Sequence, residues 1–286
     1  MMRSMYSAVS GLRANQTAMD VIGNNIANVN TPAFKASRSI FADMFYQMLA
    51  GAAAPQGGVG GINSQQVGLG VRLASIDKLM TQGALQSTGV PTDLAIQGDG
   101  FFVLGDVPGN PPTGTPTNIT YTRLGDFKLD SNGYLVDALT GKYVLALNAQ
   151  NGNQIGGPIH IPLGTQTGQF VDFSIASDGT INGITPAGVP QFIAQIALAT
   201  FSNPSGLDEL GGGQYQGSLN SGAPTYGPGG TGTLAGTVSS NSLEMSNVDL
   251  AQEFTSMITT QRGFEANAKV ITTADQMLQV LTNLKQ

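Results

Sequence analysis

Ser246-Asn-Val-Asp-Leu-Ala-Gln-Glu-Phe-Thr-Ser-Met-Ile258 opens the segment whose reading decides the fold. Ser246, Asn247 and Asp249 supply side chains suited to capping a helix, and Asp249 places an acid near the positive end of the helix dipole. Beyond them Leu250, Phe254, Met257, Gln261, Phe264, Ala268, Ile271, Asp275 and Leu278 recur in alternating steps of four and three, the spacing that keeps one helix face toward a partner. Ile258, Val270, Met277, Leu281 and Leu284 add a second, adjacent stripe. At about 1.5 Å per residue, positions 248–284 make a rod on the order of 55 Å long, more than a small core needs. Two apolar stripes on one rod predict two neighbours.

The other end of the chain has the same character. Met5, Val9, Leu12, Gln16, Met19, Gly23 and Ile26 follow the same spacing, widened by Ala8, Ile22 and Val29. The residue ahead of a proline is driven from the α region, so this helix stops before Thr31-Pro32. Gly11 and Gly23 each cost about 1 kcal/mol relative to Ala in a helix interior, which leaves the helix dependent on packing. Gly23-Asn-Asn-Ile-Ala-Asn28 is amide-rich for a helix interior; such side chains compete for backbone hydrogen bonds and are better used on a neighbour or at a helix end. An apolar helix face is ordinarily the core side of a globular helix. Here both helices are terminal, matched in period and separated by a Gly-rich middle, which points to assembly.

Between them, Gly51-Ala-Ala-Ala-Pro-Gln-Gly-Gly-Val-Gly-Gly61 reads as an extended linker, and Gly211 to Gly236 returns to Gly, Pro, Ser and Thr. From Val71 onward the chain reads as short strands. Asp99-Gly100, Asn132-Gly133, Asp178-Gly179 and Asn182-Gly183 carry hairpin-turn chemistry, and Gln191 to Phe201 is the longest apolar run, a candidate central strand. The expected fold is α+β. Long N- and C-terminal helices pair as a coiled-coil-like domain (1–30 with 247–286), extended linkers follow (31–70 and 225–246), and a mainly antiparallel β domain is inserted (71–224).

Composition narrows the function. With 39 Gly, 14 Pro and 10% charged residues, the middle favours turns and strands over packed helices. The absence of Cys and Trp removes disulfide frameworks and thiolate metal sites. A net charge of -6 without a Lys/Arg cluster offers nothing to a phosphate backbone or an anionic membrane, so neither nucleic acid nor membrane insertion is expected. Arg3 is followed by no continuous apolar stretch, so no cleaved signal is expected, and no window reaches the roughly 18 apolar residues needed to span a bilayer.

No catalytic constellation emerges. His160, the only histidine, sits in Pro158-Ile-His-Ile-Pro162, reads as one side chain on a short strand, and has no Cys with which to build a zinc site. Asp130-Ser-Asn-Gly133 begins like a calcium loop, but Gly falls at the fourth position and no acid follows at the twelfth, so it reads as a turn. Gly227-Pro-Gly-Gly-Thr-Gly232 spells the dinucleotide fingerprint without a strand before it or a helix after it. Scattered Asp and Glu leave a carboxylate pair for glycoside chemistry open, with nothing selecting one. No enzyme activity and no cofactor are expected.

At the level of whole blocks the chain resembles a known family. Asp20-Val-Ile-Gly-Asn-Asn-Ile-Ala-Asn-Val-Asn-Thr31 with Ala33-Phe-Lys35 is similar to the N-terminal signature of bacterial flagellar rod and hook proteins, with Ala33 where Gly is usual. Asp93-Leu-Ala-Ile-Gln-Gly-Asp-Gly-Phe-Phe102, Tyr121-Thr-Arg-Leu-Gly-Asp-Phe127, Asn132-Gly-Tyr-Leu-Val136 and Ser246-Asn-Val-Asp-Leu250 through Gln261-Arg262 to Asp275-Gln-Met-Leu278 resemble its later blocks. The resemblance spans nearly the whole chain.

It implies a subunit exported unfolded through the flagellar type III apparatus, without a cleaved signal, to the hook or basal body outside the cytoplasmic membrane. There it would polymerise into a helical tube, helices inside and β domain outside, between neighbouring rod, hook and junction proteins. Met48 to Leu69 resembles an insertion common to distal rods and some hooks. Leu243 to Phe254, Gln261-Arg-Gly-Phe264 and Leu281-Thr-Asn-Leu-Lys285 are similar to short hook proteins of Gram-positive type, so a hook subunit is expected, a flexible joint carrying torque, with the stiff distal rod as the alternative. The expected assembly interface comprises Leu12, Ile22, Asn24, Asn25, Ile26 and Asn28, with Leu250, Phe254, Ile258, Phe264, Ile271, Leu278 and Leu281 on the second helix. The rival from another class is a secreted β-rich enzyme or carbohydrate-binding domain with oligomerising helical ends.

Overall fold

A computed structural model describes residues 2–55, 60–109, 111–112, 114–148, 154–164, 169–230 and 235–284. The chain divides into two compact units, one of residues 1–29, 36–79 and 248–286, the other of residues 30–35 and 80–247.

In the first unit both terminal helices form where the period places them. α1 spans Met2–Ala27 and α2 spans Leu250–Asn283. Asp249 caps α2, its side chain accepting from the amides of Ala251 at 2.9 Å and Gln252 at 3.4 Å. The strands of this unit are β1 (Ser37–Asp43), β2 (Tyr46–Ala50), β3 (Gln65–Gly68) and β4 (Val71–Lys78). β1 runs antiparallel to β4, from Ser37 opposite Lys78 to Asp43 opposite Val71, and β2 runs antiparallel to β3.

Much of the stretch expected as linker over 31–70 is therefore a β arm, with Ala53 and Ile62 bridged beyond β2 and β3. Strand pairing uses backbone groups that Gly and Ala carry as well as any residue, so composition alone conceals it. Every residue of β2 and β3 is exposed, and no charged residue occurs from Met44 to Val71. Of the Gly51–Gly61 stretch, Gln56 to Val59 lie outside the described residues.

The second unit is β throughout, apart from a short 3-10 turn. Its strands are β5 (Leu85–Ser87), β6 (Leu94–Gln97), β7 (Phe101–Asp106), β8 (Thr117–Thr122), β9 (Phe127–Leu129), β10 (Leu135–Asp137), β11 (Tyr143–Leu147) and β12 (Ile155–Pro158). They continue as β13 (Asp172–Ile175), β14 (Thr180–Ile184), β15 (Pro190–Gln195), β16 (Leu198–Thr200), β17 (Asp208–Gly211), β18 (Gln214–Gln216), β19 (Thr225–Gly227), β20 (Thr237–Ser240) and β21 (Ser242–Glu244). The main antiparallel sheet runs β17-β18-β8-β7-β11-β10-β9, with β12 on β11 and β16 joining β7 to β19. β7 lies near its centre and is buried on both faces: Phe102 and Leu104 enter one apolar cluster, Phe101 and Val103 the other. Phe102 meets Phe127 edge-on at 5.1 Å between ring centroids, while Phe101 does the same with Tyr215 at 5.6 Å. β20 pairs with β6 and β21 with β5, so much of the 225–246 span expected as linker is also paired strand.

Three expectations for the middle are corrected. The apolar run 191–201 is divided between β15, in a separate sheet with β13 and β14, and β16 in the main sheet. Asn182-Gly183 lies inside β14, not at a turn, and Gly is required there because a Cβ would come 2.4 Å from the Phe170 ring. Gly133 and Gly179 do turn between paired strands, β9 with β10 and β13 with β14, at positive φ, whereas Gly100, also at positive φ, links β6 to β7 in different sheets and closes no hairpin. Asp130 likewise serves a turn, accepting the Ser131 amide on its side chain and the Gly133 amide on its carbonyl. Thr231 and Gly232 of the glycine-rich fingerprint lie outside the described residues.

Candidate assembly surface

The two terminal helices pack on each other in antiparallel register. A Cβ on Gly11 would come 2.6 Å from the Asn267 amide, and one on Gly263 would come 3.0 Å from that of Asn15. Asn25 reaches Glu253 with a hydrogen bond of 3.2 Å. The buried face of α1 is Ala8, Gly11, Ala14, Ala18, Ile22 and Asn25. The expected seam runs through Met5, Val9, Leu12, Gln16, Met19, Gly23 and Ile26, widened by Ala8, Ile22 and Val29; of these, Ala8 and Ile22 lie on the buried face. Leu12, Met19 and Ile26 are half-buried on the flanks, and Val9 is 37% exposed. Small side chains prevail at the contact because they let two helix backbones approach closely. The helices thus pair through small and amide residues, not through interlocked large apolar side chains.

Asn25 is 1% exposed and satisfies groups on two other elements. Its Nδ2 donates to the Ser37 carbonyl at 2.8 Å and to Glu253 Oε1 at 3.2 Å, while its Oδ1 accepts the Ser37 amide at 3.0 Å. The one side chain therefore joins α1 to β1 and to α2. Partial burial pushes the Glu253 carboxyl above its ordinary value; the Asn25 hydrogen bond opposes this and nearby Asp249 adds to it. Asn24 is exposed, and half-buried Asn28 donates to its side chain and carbonyl, closing the helix end.

On α2, Ile271 and Leu278 are half-buried. Leu250, Phe254, Ile258, Phe264 and Leu281 are 36 to 53% exposed, only partly covered in the single chain. The expected residues therefore fall into two sets. Ile22 and Asn25 hold the unit together, and the large residues of α2 face outward. Sequence reasoning placed Ala8 beside the seam but missed Gly11, Ala14 and Ala18, although their three-four spacing was available as a signal.

In the second unit, three of the sequence blocks meet in one buried ionic cluster. Lys35 Nζ lies 2.6 Å from Glu244 Oε1 and donates to the Thr81 carbonyl at 2.8 Å. Arg123 Nη1 lies 3.3 Å from Glu244 Oε2, and Arg123 Nη2 donates to the Gly98 carbonyl at 2.6 Å. The Gly83 amide donates to Glu244 Oε1 at 2.8 Å. Burial pushes the Lys35 ammonium below its ordinary value, against the hydrogen bond and charge of Glu244. The Arg123 guanidinium lies over the Phe101 ring, 5.5 Å from its centroid, which gives an apolar neighbour to the side chain whose Nε has no acceptor. Ala33, at φ 59°, takes the left-handed conformation that favours glycine and donates its amide to the Glu244 carbonyl.

Termini that make one helical pair, a β domain inserted between them in sequence, and a buried ion cluster that joins distant sequence blocks describe a structural type of protein. Known proteins agree. Residues 5–35 match the flagella basal body rod protein family, residues 95–183 the flagellar hook protein FlgE/F/G D1 domain, and residues 239–284 the flagellar basal body rod FlgEFG protein C-terminal family. The flagellar basal-body rod protein FlgG of Bacillus subtilis is 47% identical over 290 residues, covering all of both chains. The flagellar hook protein FlgE of Borreliella burgdorferi is 31% identical over an alignment of 452 residues, and the FlgG of the same organism 36% over 292. The chain belongs to the flagellar rod and hook family FlgE/F/G. It is a structural protein of the flagellum and not an enzyme. Among the described residues no helix is long and apolar enough to cross a membrane.

Proposed function

We propose that this chain is a distal rod subunit of the flagellar basal body, polymerising helically into a hollow, stiff drive shaft. The end-to-end 47% identity to a rod protein of nearly the same length carries this reading over the hook expected from the terminal blocks. The hook-named relatives reach 31% and 29% only in alignments stretched to 452 and 477 residues. In this reading the outward residues of α2 make contacts between copies, and the β arm, apolar and without charge, stiffens the wall. The subunit leaves the cell unfolded through the type III export apparatus and meets other rod, hook and junction proteins at its ends.

A hook subunit is the second reading, favoured by the alignment of the whole chain with two hook-named proteins. Expression in Bacillus subtilis lacking its own FlgG is expected to restore flagella, and expression in a strain lacking the hook protein is not. Rescue of the hook-deficient strain alone would overturn the rod assignment. Phe264→Asp is expected to leave circular dichroism unchanged and to abolish tubes in electron micrographs, because Phe264 is 36% exposed in the single chain. Loss of folded structure in that variant would place Phe264 in an ordinary core.

A further inference from the structure

We propose that a groove beside α1 receives the first three turns of α2 from a second copy of this chain. The inference rests on the tube-forming reading above. The groove has a volume of about 550 Å³ and is walled by Tyr6 and Val9 of α1 and by Met44 and Leu69 at the base of the β arm. Its polar margin is Arg13 and Arg72, both exposed and neither ion-paired among the described residues.

The occupant is identified by shape and charge. Leu250, Phe254 and Ile258 follow one another at intervals of four, a ridge of the kind that packs into a groove of a facing helical surface. They are 40%, 50% and 53% exposed, so this ridge is only about half covered in the single chain. From Val248 to Gln261 the charged residues are both acidic: Glu253 is half-buried against Asn25 of its own chain, and Asp249, exposed at the start of α2, is opposite in sign to Arg13 and Arg72. The ridge ends before the first basic residue of α2, Arg262.

A chain cannot fill its own groove. Gly11 lies level with Asn267, which places Phe254 roughly thirteen residues, or about 20 Å, further along the rod at about 1.5 Å per residue. Docking between copies with parallel axes therefore sets neighbouring subunits about 20 Å apart along the helix direction. It brings Ile258 of one copy to Tyr6 of the next, Phe254 to Val9 and Arg13, and Leu250 to Thr17.

The chain has no cysteine, so engineered thiols report this contact without background. Tyr6→Cys and Ile258→Cys proteins, mixed, assembled into tubes and oxidised, are expected to give a mixed disulfide dimer as the main cross-linked product. Neither protein alone, nor the unassembled mixture, is expected to give it, because disulfides join residues whose Cα atoms lie within about 7 Å. Arg13→Glu with Arg72→Glu is expected to raise the concentration needed for tube growth about tenfold with unchanged circular dichroism. Tubes that form normally from the mixture without the disulfide, or a charge-reversed protein that assembles as readily as the original, would overturn the docking site. Failure of the unaltered chain to form tubes at all would overturn the assembly reading and this site with it.

Discussion

Replacing Asn25 by Ala removes the side chain that joins α1, β1 and α2, and the consequence follows from its partners. Three hydrogen bonds are lost, at 2.8, 3.0 and 3.2 Å, and two of them leave the amide and carbonyl of Ser37 without side-chain partners. At about 0.5–1.5 kcal/mol net for each bond the loss is roughly 3 kcal/mol. Ala is the better helix former by several tenths of a kcal/mol, which returns a small part of it. An opening free energy lower by about 2.7 kcal/mol corresponds to roughly a hundredfold. Amide hydrogen exchange read by residue is the suitable assay, since the chain has two compact units and a single unfolding midpoint would blur them.

The Ser37 amide is expected to exchange about a hundredfold faster in Asn25→Ala, with smaller increases through the C-terminal half of α1 and the first turns of α2. Amides of Phe102 and Val103, in the core of the other unit, should change by less than about threefold. Asn25→Asp separates hydrogen bonding from size: it keeps an acceptor for the Ser37 amide but sets a carboxylate against Glu253, so it should be at least as damaging. Exchange at Ser37 within about threefold of the original in both variants would refute the joining role.

Three further outcomes are expected. Glu244→Ala strands Lys35 and Arg123 in the second unit and should cost about 3–5 kcal/mol in urea unfolding, whereas replacing all three residues by Met should cost far less or stabilise. Because the Glu253 carboxyl is raised, its charged form opposes folding above that raised value and the opposition fades as pH falls toward 4.5; Glu253→Gln should therefore raise the thermal midpoint at pH 7 and lose its advantage near pH 4. A Cβ on Gly23 meets no atom within 4 Å, so Gly23→Ala should stabilise the single chain by about 1 kcal/mol, while Gly11→Leu, aimed at Asn267, should separate the helices and raise exchange along both.

What was legible in the sequence was whatever depends on period and local chemistry. The terminal helices fall within three residues of the limits 1–30 and 247–286, and Asp249 caps where its position indicated. The turns at Gly133 and Gly179 were readable because only a few residues tolerate their φ. Long-range placement was not readable: Lys35, Arg123 and Glu244 carry no local sign that they share one site. The β arm was hidden for a different reason: its strands Tyr46–Ala50 and Gln65–Gly68 are short, fully exposed and without apolar alternation, so backbone pairing leaves little trace in their side chains.

The helix seam shows why hydrophobicity alone misdirects such a reading. A pattern search weights large apolar residues, yet the distance between two paired helices is set by what fits between them, and Ala8, Gly11, Ala14 and Ala18 allow the closer approach. The same fact accounts for the outward set. Once small residues have taken the internal contact, Phe254, Ile258 and Leu281 have no internal place left and remain 50%, 53% and 50% exposed. Burying a side chain of that size stabilises by about 1.5–3 kcal/mol, and in a lattice each copy makes the contact anew. In the tube-forming reading proposed above, the small residues serve the fold of the single chain and the large ones serve contacts between copies, so the division within one helix pair would correspond to the step from subunit to tube.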